Sequence, residues 1–453
     1  MASGAKRLDV RPLFMVFTSA FPPDGPTFPH CGTASSRNKT QLRTIWYEVW
    51  VRFLIKCWED VMFKASVGES SNLDPREAVK ETVGELRTQD NNVAGAKVLF
   101  AYASCAYDLP AMLDEFAQEL PGVPVIGNTS FTGVITPAGF TGGDGFLGAM
   151  AFDDPAMTVG VAACPKTDAS QDAVELGEKV ARKAMEAADK DEAPLYYFMA
   201  ASPAEEEYYV KGITHVIGRV PFFGGSAADN AITGDWKLYT SEGAFADGVA
   251  VAFFYGAPTM ANVYTGAYHE TEDVGIVTKT VGNRILAEID GVPALEKYAA
   301  WRGMDVDGLR GGELLGKSVV SPLGVKDRLG DLVAIRHPMA GNNDGSISLG
   351  NKIAKNTAVI RMEASVDELV SSTGKTLGEL RAEVADPAAY LLVHCGGRRA
   401  GIGDRIGEVA ELLAKEADGV PFLTEFTFGE YGQVDDGANT CGGLMLSFTG
   451  FSK

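Results

Sequence analysis

A unit of roughly ninety to one hundred residues occurs three times along this chain, and an internal repeat of that length constrains the fold more than any single motif. The first copy runs from Met62 to Phe152. A short strand opens it. An amphipathic helix follows at Asp74-Pro75-Arg76-Glu77, with Asp74 placed to cap free backbone N–H groups and Pro75 at the first helical position. Next come an apolar strand from Lys97 to Ala103, a helix from about Leu109 to Glu119, and a strand from Val123 to Ile126. That strand runs into Gly127-Asn128-Thr129-Ser130, and the segment Gly145 to Phe152 closes the copy.

The second copy covers about 156–256, with its helix at Ala169 to Ala188, its apolar strand at Leu195 to Ala200, and Val220 to Phe223 running into Gly224-Gly225-Ser226-Ala227-Ala228-Asp229. The third covers about 357–450. Thr357 to Met362 opens it, Leu377 to Val384 is helical, and Tyr390 to His394 is its apolar strand. A helix at Ile406 to Lys415 follows, then Gly419-Val420-Pro421-Phe422, which matches Gly122-Val123-Pro124-Val125 and Arg219-Val220-Pro221-Phe222. Apolar runs of this kind, bounded by turn signals, are the pattern of strands covered on both faces, and their alternation with helices predicts layered α/β units. Residues 258–355 break the pattern. Val281-Gly282-Asn283-Arg284 and Asn342-Asn343-Asp344-Gly345 read as hairpin turns, and Gly291-Val292-Pro293 as a turn into a helix, so this part is expected to be α+β with β-hairpins.

Composition narrows the function. At 453 residues the chain can hold two or three domains. A net charge of −20 argues against nucleic acid and anionic membrane surfaces, because phosphates are held by clustered Lys and Arg. No stretch approaches the roughly 18 to 20 unbroken apolar residues of a membrane helix. Six widely spaced cysteines without a CxxC pair predict reduced thiols in a cytoplasmic protein rather than a zinc knuckle or a redox motif. Residues 1–61 differ from the rest. They carry eight Lys/Arg against five Asp/Glu, and three of the five tryptophans. The change at Met62 suggests that the native chain starts there and that 1–61 is an upstream extension, which peptides from this segment in the native protein would refute.

Several short glycine-rich turns, taken in order, resemble the family built from FIST N and FIST C domains. They are Leu99 to Cys105 with Gly122 to Ser130, Phe223 to Asp229, Ile289 to Leu295, His394-Cys395-Gly396-Gly397-Arg398, and Phe428-Gly429-Glu430. The resemblance implies a FIST N-like domain at 62–257 and a FIST C-like domain at 258–453, the latter made of the hairpin-rich part 258–355 and the third unit 356–453. It also implies a sensory role in binding small ligands, and some members resemble haem proteins that sense nitric oxide. Without a kinase, cyclase or methyl-accepting output domain, a signal is expected to pass to a separate partner. Where the family often has Ser followed by Gly-Glu, this chain has Ser130-Phe131-Thr132-Gly133, so an acidic group is expected to be missing there.

The candidate site residues follow from strand-end chemistry. Gly224, Gly225, Ser226 and Asp229 lie where glycines let backbone N–H groups approach an anion, against the plainer reading of a tight turn. Cys395, Arg398 and Arg399 end the third apolar strand, and Arg398 is expected to engage a ligand carboxylate with its planar fork unless it pairs with a structural carboxylate such as Glu430. Ser130 and Glu430 belong to the equivalent loops. These residues suggest a small anionic or zwitterionic ligand. A cysteine enzyme built on Cys395 lacks a base, because His394 is its strand neighbour and points to the opposite face. For a haem, the candidate ligands are His215 and His394, with His269 and His337 the other histidines after Met62, and no CxxCH attachment motif occurs. Glu205-Glu206-Glu207 is expected to start a helix with a solvated acidic face.

Overall fold

The computed structural model describes residues 62–89, 92–326, 332–433 and 439–453, so the expectation for residues 1–61 lies outside the described residues. Three six-stranded sheets form the frame, and each is assembled in the same order. In the first, the opening strand Lys64–Ser70 pairs antiparallel with the closing strand Leu147–Asp153, which pairs with Val98–Ala103. Val98–Ala103 runs parallel to Val125–Thr129 through the helix Leu109–Glu119, as a strand–helix–strand unit requires. The second sheet repeats this with Thr158–Pro165, Gly248–Tyr255, Tyr196–Ala201 and Phe222–Ser226. The third does so with Met260–Thr265, Leu446–Ser452, Pro387–Cys395 and Phe422–Thr427.

The fifth and sixth strands of each sheet come from a different unit. What the sequence presents as a loop before each closing strand is a β-hairpin, and it pairs elsewhere. The hairpin Gly133–Thr136 and Gly139–Gly142 of the first unit adds to the third sheet, with Thr424 opposite Ile135. The second unit's hairpin, Leu238–Thr240 and Gly243–Phe245, adds to the first sheet, and the third unit's, Glu430–Gln433 and Asn439–Gly442, adds to the second. The three units are therefore joined in a closed ring of exchanged hairpins. Ser130 shows how tight the joint is: its hydroxyl accepts the Phe426 N–H at 2.9 Å and donates to the Gly133 carbonyl at 2.6 Å.

Strand alternation divides the apolar side chains between two layers. Leu99 and Ala101 face outward onto Val79, Val83, Met112 and Phe116 of the helices Pro75–Arg87 and Leu109–Glu119. Asp74 caps the first of these helices by accepting from the Arg76 and Glu77 N–H groups, as its sequence predicts. Val98, Phe100 and Tyr102 face inward, where they meet Phe198 and Phe254 of the second sheet and Leu391, Leu423 and Phe451 of the third. Edge-to-face contacts bind this core across units, with Phe100–Phe198 centroids at 5.1 Å and Phe152–Phe451 at 4.9 Å. One carboxyl sits within it. Glu425 is fully buried, accepts the Asn128 Nδ2 proton at 2.7 Å, and is pushed up to about 8 by burial.

The opening strand of the third unit is not Thr357 to Met362. That role belongs to Met260–Thr265, whereas Ala358–Glu363 pairs with Leu323–Lys326 and His269–Val281 in a fourth sheet. Both segments have strand-like patterns, and a local pattern does not state which partner a strand takes. The hairpin-rich part is thus an insertion inside the third unit. The chain leaves after Thr265 and returns at the helix Val366–Glu383, which carries a Ser365–Glu368 capping box. Both expected hairpin turns are present, joining His269–Val281 to Ile285–Ile289 and Pro338–Gly341 to Ile347–Leu349. No helix among the described residues is long and apolar enough to cross a membrane.

Candidate functional site

Four parts of the chain meet around a cavity of about 480 Å³, the first unit contributing Phe131. The third unit supplies Cys395, Gly396 and Gly397 at the end of its buried strand, together with Phe428 and Gly443. The second unit supplies Pro203 and Ala204, and then Ile232, Thr233, Gly234 and Trp236 from the loop after Phe222–Ser226. The insertion closes the remaining side with Leu315, Val319, His337, Met339, Leu349 and Asn351, and Arg284 reaches in from a hairpin turn. Most of this wall is apolar. Phe131, Phe428 and Trp236 form a continuous aromatic side, with ring centroids 5.8 Å and 6.1 Å apart.

Asp229 builds one wall without touching the cavity. Its buried carboxylate accepts the N–H groups of Ala231, Thr233, Gly234 and Asp235 at 2.8–3.2 Å, which folds the loop that carries Ile232 and Trp236. Gly224, Gly225 and Ser226 lie in the seam between units. A Cβ on Gly224, whose φ is +132°, would stand 2.0 Å from the Met199 carbonyl oxygen, and one on Gly225 would stand 2.5 Å from Thr427 Cγ2. Their lack of side chains lets neighbouring backbones approach, and Ser226 bonds through its hydroxyl to the Tyr431 hydroxyl at 2.6 Å.

Glu430 enters the second sheet opposite Gly225. Its two oxygens accept from Thr427 Oγ1 and from the Met445 N–H, both at 2.9 Å, and burial pushes its carboxyl up to about 8. Cys395 lies beside it, with Sγ accepting the Leu444 N–H at 3.2 Å. Burial, reinforced by Glu430, pushes this thiol well above the usual range, which disfavours the nucleophilic thiolate.

The two arginines of this turn lie outside the cavity wall. Arg398 is fully buried, and its guanidinium donates to the Gly266 and Leu369 carbonyls at 2.7 and 3.1 Å and to Ser372 Oγ at 2.7 Å. The fork expected to hold a ligand carboxylate thus ties the insertion's first residue to the helix Val366–Glu383. Arg399 covers the Phe140 ring at 4.9 Å and donates to the Gly403 carbonyl.

Neither expected haem ligand faces the cavity. His215 is on the surface with Nδ1 2.9 Å from Glu178, and His394 packs on Phe426 with its Nδ1 2.9 Å from the Cys395 carbonyl oxygen. Burial lowers His394 to about 3. The histidine on the cavity wall is His337, whose Nε2 lies 3.0 Å from the Leu315 carbonyl and whose ring is lowered to about 4 by burial, hence neutral.

Sequence reasoning missed the polar end of the cavity. Glu206, expected to be solvated, is 1% exposed and pushed up to about 7 by burial and by the neighbouring Glu207. Arg284 Nη2 lies 3.3 Å from Glu206 and 2.6 Å from Glu207, while Asn351 Nδ2 donates to Glu206 Oε1 at 3.4 Å. The hairpin signal at Val281–Arg284 was visible, but nothing local marks Arg284 as the partner of a helix start 77 residues away. Among the described residues no group of acidic, His and Cys side chains could hold a metal ion, and Cys105, Cys164, Cys395 and Cys441 are free thiols.

Comparison with known proteins follows this division. The FIST N domain matches residues 97–292 and the FIST C domain residues 294–433, so the cavity lies where the two matched segments meet. No curated protein matches the chain. Among solved structures it is similar to cyanuric acid hydrolase from A. caulinodans, at 10% identity over 86% of this chain and 100% of that one, with a TM-score of 0.32. It is also similar to PurLQS from Thermotoga maritima, at 11% identity over 86% and 72% of the two chains, with a TM-score of 0.20. Likenesses this distant do not bear on the site. With both domain matches in order along one chain, this protein belongs to the FIST family of small-ligand sensory domains.

Proposed function

We propose that this protein senses a small molecule held in the cavity between Phe131 of the first unit, the second unit, the third strand end and the insertion. The observation that carries the reading is the cavity itself: about 480 Å³, largely apolar, with one polar end, and walled by segments from both matched domains. A bound molecule would touch the repeat frame and the insertion together. Its occupancy would therefore alter how firmly the two are held, which is the change a separate signalling partner would read. The anionic or zwitterionic ligand expected from Arg398 is the weaker version of this proposal, because Arg398 donates inside the protein and Arg284 is already flanked by two carboxylates.

Gly316 offers a clean test. It lines the cavity, and a Cβ there would meet nothing within 4 Å. Gly316→Trp should fill the space while leaving the fold intact. Native mass spectrometry and absorbance of the purified proteins should find a small molecule on the wild type and lose it in Gly316→Trp. Equal occupancy of the two would sink the proposal, and a Soret band that survives in both would replace it with a haem-based reading.

A further inference from the structure

Resting on that reading, we infer the class of ligand: an uncharged ring carrying a cyclic-amide edge, with N–H and C=O side by side. Two polar atoms at the cavity wall have no hydrogen-bond partner among the described residues, Asn351 Oδ1 and Arg284 Nε. Asn351 is 1% exposed, and an orphaned polar atom that deeply buried is costly unless something meets it. Its Oδ1 stands over Gly443, also a wall residue, where an added Cβ would come within 2.8 Å.

The two orphans are fixed beside one another. Arg284 Nη1 donates to the Gly350 carbonyl, so the guanidinium is anchored to the residue that precedes Asn351. Asn351 and Arg284 also share Glu206, which takes Nδ2 of one and faces Nη2 of the other. Glu206 Oε2 also lacks a hydrogen-bond partner among the described residues, but it faces Arg284 Nη2 at 3.3 Å and its residue is off the cavity wall. The wall itself therefore presents one acceptor, Asn351 Oδ1, and one donor, Arg284 Nε–H. Their complement is a donor next to an acceptor, and a ring amide presents both on one edge.

Charge excludes the obvious competitors. A ligand carboxylate at Arg284 would be the third beside that guanidinium, against Glu206 and Glu207. A ligand ammonium would find no carboxylate among the described residues of the cavity wall. The aromatic side formed by Phe131, Trp236 and Phe428 suits a flat ring.

The test uses three probes on the full chain: 2-quinolone, N-methyl-2-quinolone and 2-naphthoate, with affinities measured by calorimetry. The expected result is that 2-quinolone binds about ten-fold or more tightly than either other probe, since only it offers both halves of the edge. Asn351→Leu, shown by its thermal transition to be folded, should bring 2-quinolone down to the level of its N-methyl form. Equal binding of the N-methyl form, or tighter binding of 2-naphthoate, overturns the amide class while leaving the cavity as a site. Binding of none of the three also overturns it, and the occupancy comparison with Gly316→Trp then decides separately whether the cavity is a site.

Discussion

Ser104, Ser202 and Cys395 occupy the same place in the three units, one residue beyond the register that pairs each buried strand with its antiparallel closing strand. Each donates its backbone N–H to the closing segment: Ser104 to the Phe146 carbonyl, Ser202 to Gly248, and Cys395 to Met445. The side chains then diverge. Ser104 Oγ donates to the Asp144 carbonyl and Ser202 Oγ to the Asp247 carboxylate, so both hydroxyls seal their own unit. The Cys395 side is open, because the insertion after Thr265 brings Leu315, His337 and Asn351 up to that end and a space is left between. A strand end becomes a site here through what is packed against it. Glycine-rich turns occur at all three ends, but in the second unit they chiefly let neighbouring backbones touch.

The comparison can be broken in several ways, of which Arg398→Ala should have the largest effect. Removing a buried guanidinium that bonds three groups should cost about 3 kcal/mol or more, read as a lowered denaturant midpoint. Ligand affinity of the fraction that stays folded should change little. A large loss of affinity with unaltered stability would return Arg398 to the ligand. Asp229→Ala comes next, at about 1 to 3 kcal/mol, because four backbone N–H groups lose their acceptor. It should also weaken binding by loosening the loop of Ile232 and Trp236, and full-strength binding by this variant would show that the loop wall is dispensable.

The pH response should be smaller but has a definite sign. Glu425 and Glu430 are pushed up to about 8 and Glu206 to about 7, so the folded state holds more protons than the unfolded chain above the usual carboxylate range. Their contribution is fully present below about pH 4.5 and is lost as pH rises through 7 to 8. Unfolding midpoints should therefore fall over that interval through these groups, and Glu425→Gln should narrow the fall. A steeper fall in the variant would contradict the burial of a neutral Glu425.

The smallest expected effect is that of Cys395→Ser, which gives all three units the same residue. A hydroxyl can still donate to Glu430 and accept the Leu444 N–H, so stability should shift by no more than about 1 kcal/mol and binding should persist. Abolished function with retained fold would instead revive the cysteine-dependent alternative. It would mean that the thiol acts despite the burial that holds its proton.

The sequence alone determined the local elements and their repetition. Caps such as Asp74, the matched Val-Pro runs before each strand end, and hairpin turns such as Val281–Arg284 act over a few residues, so their patterns survive in the primary structure. The tertiary structure decided the exchange of hairpins, the unit to which Met260–Thr265 belongs, and the cavity. These depend on partners far apart in the chain: Asn128 meets Glu425 across 297 residues, and Asn351 meets Glu206 across 145. Arg398 shows the reason most directly. A buried guanidinium and a ligand-binding one have the same local sequence, and only the carbonyls of Gly266 and Leu369, brought in from elsewhere in the chain, make this one a structural tie.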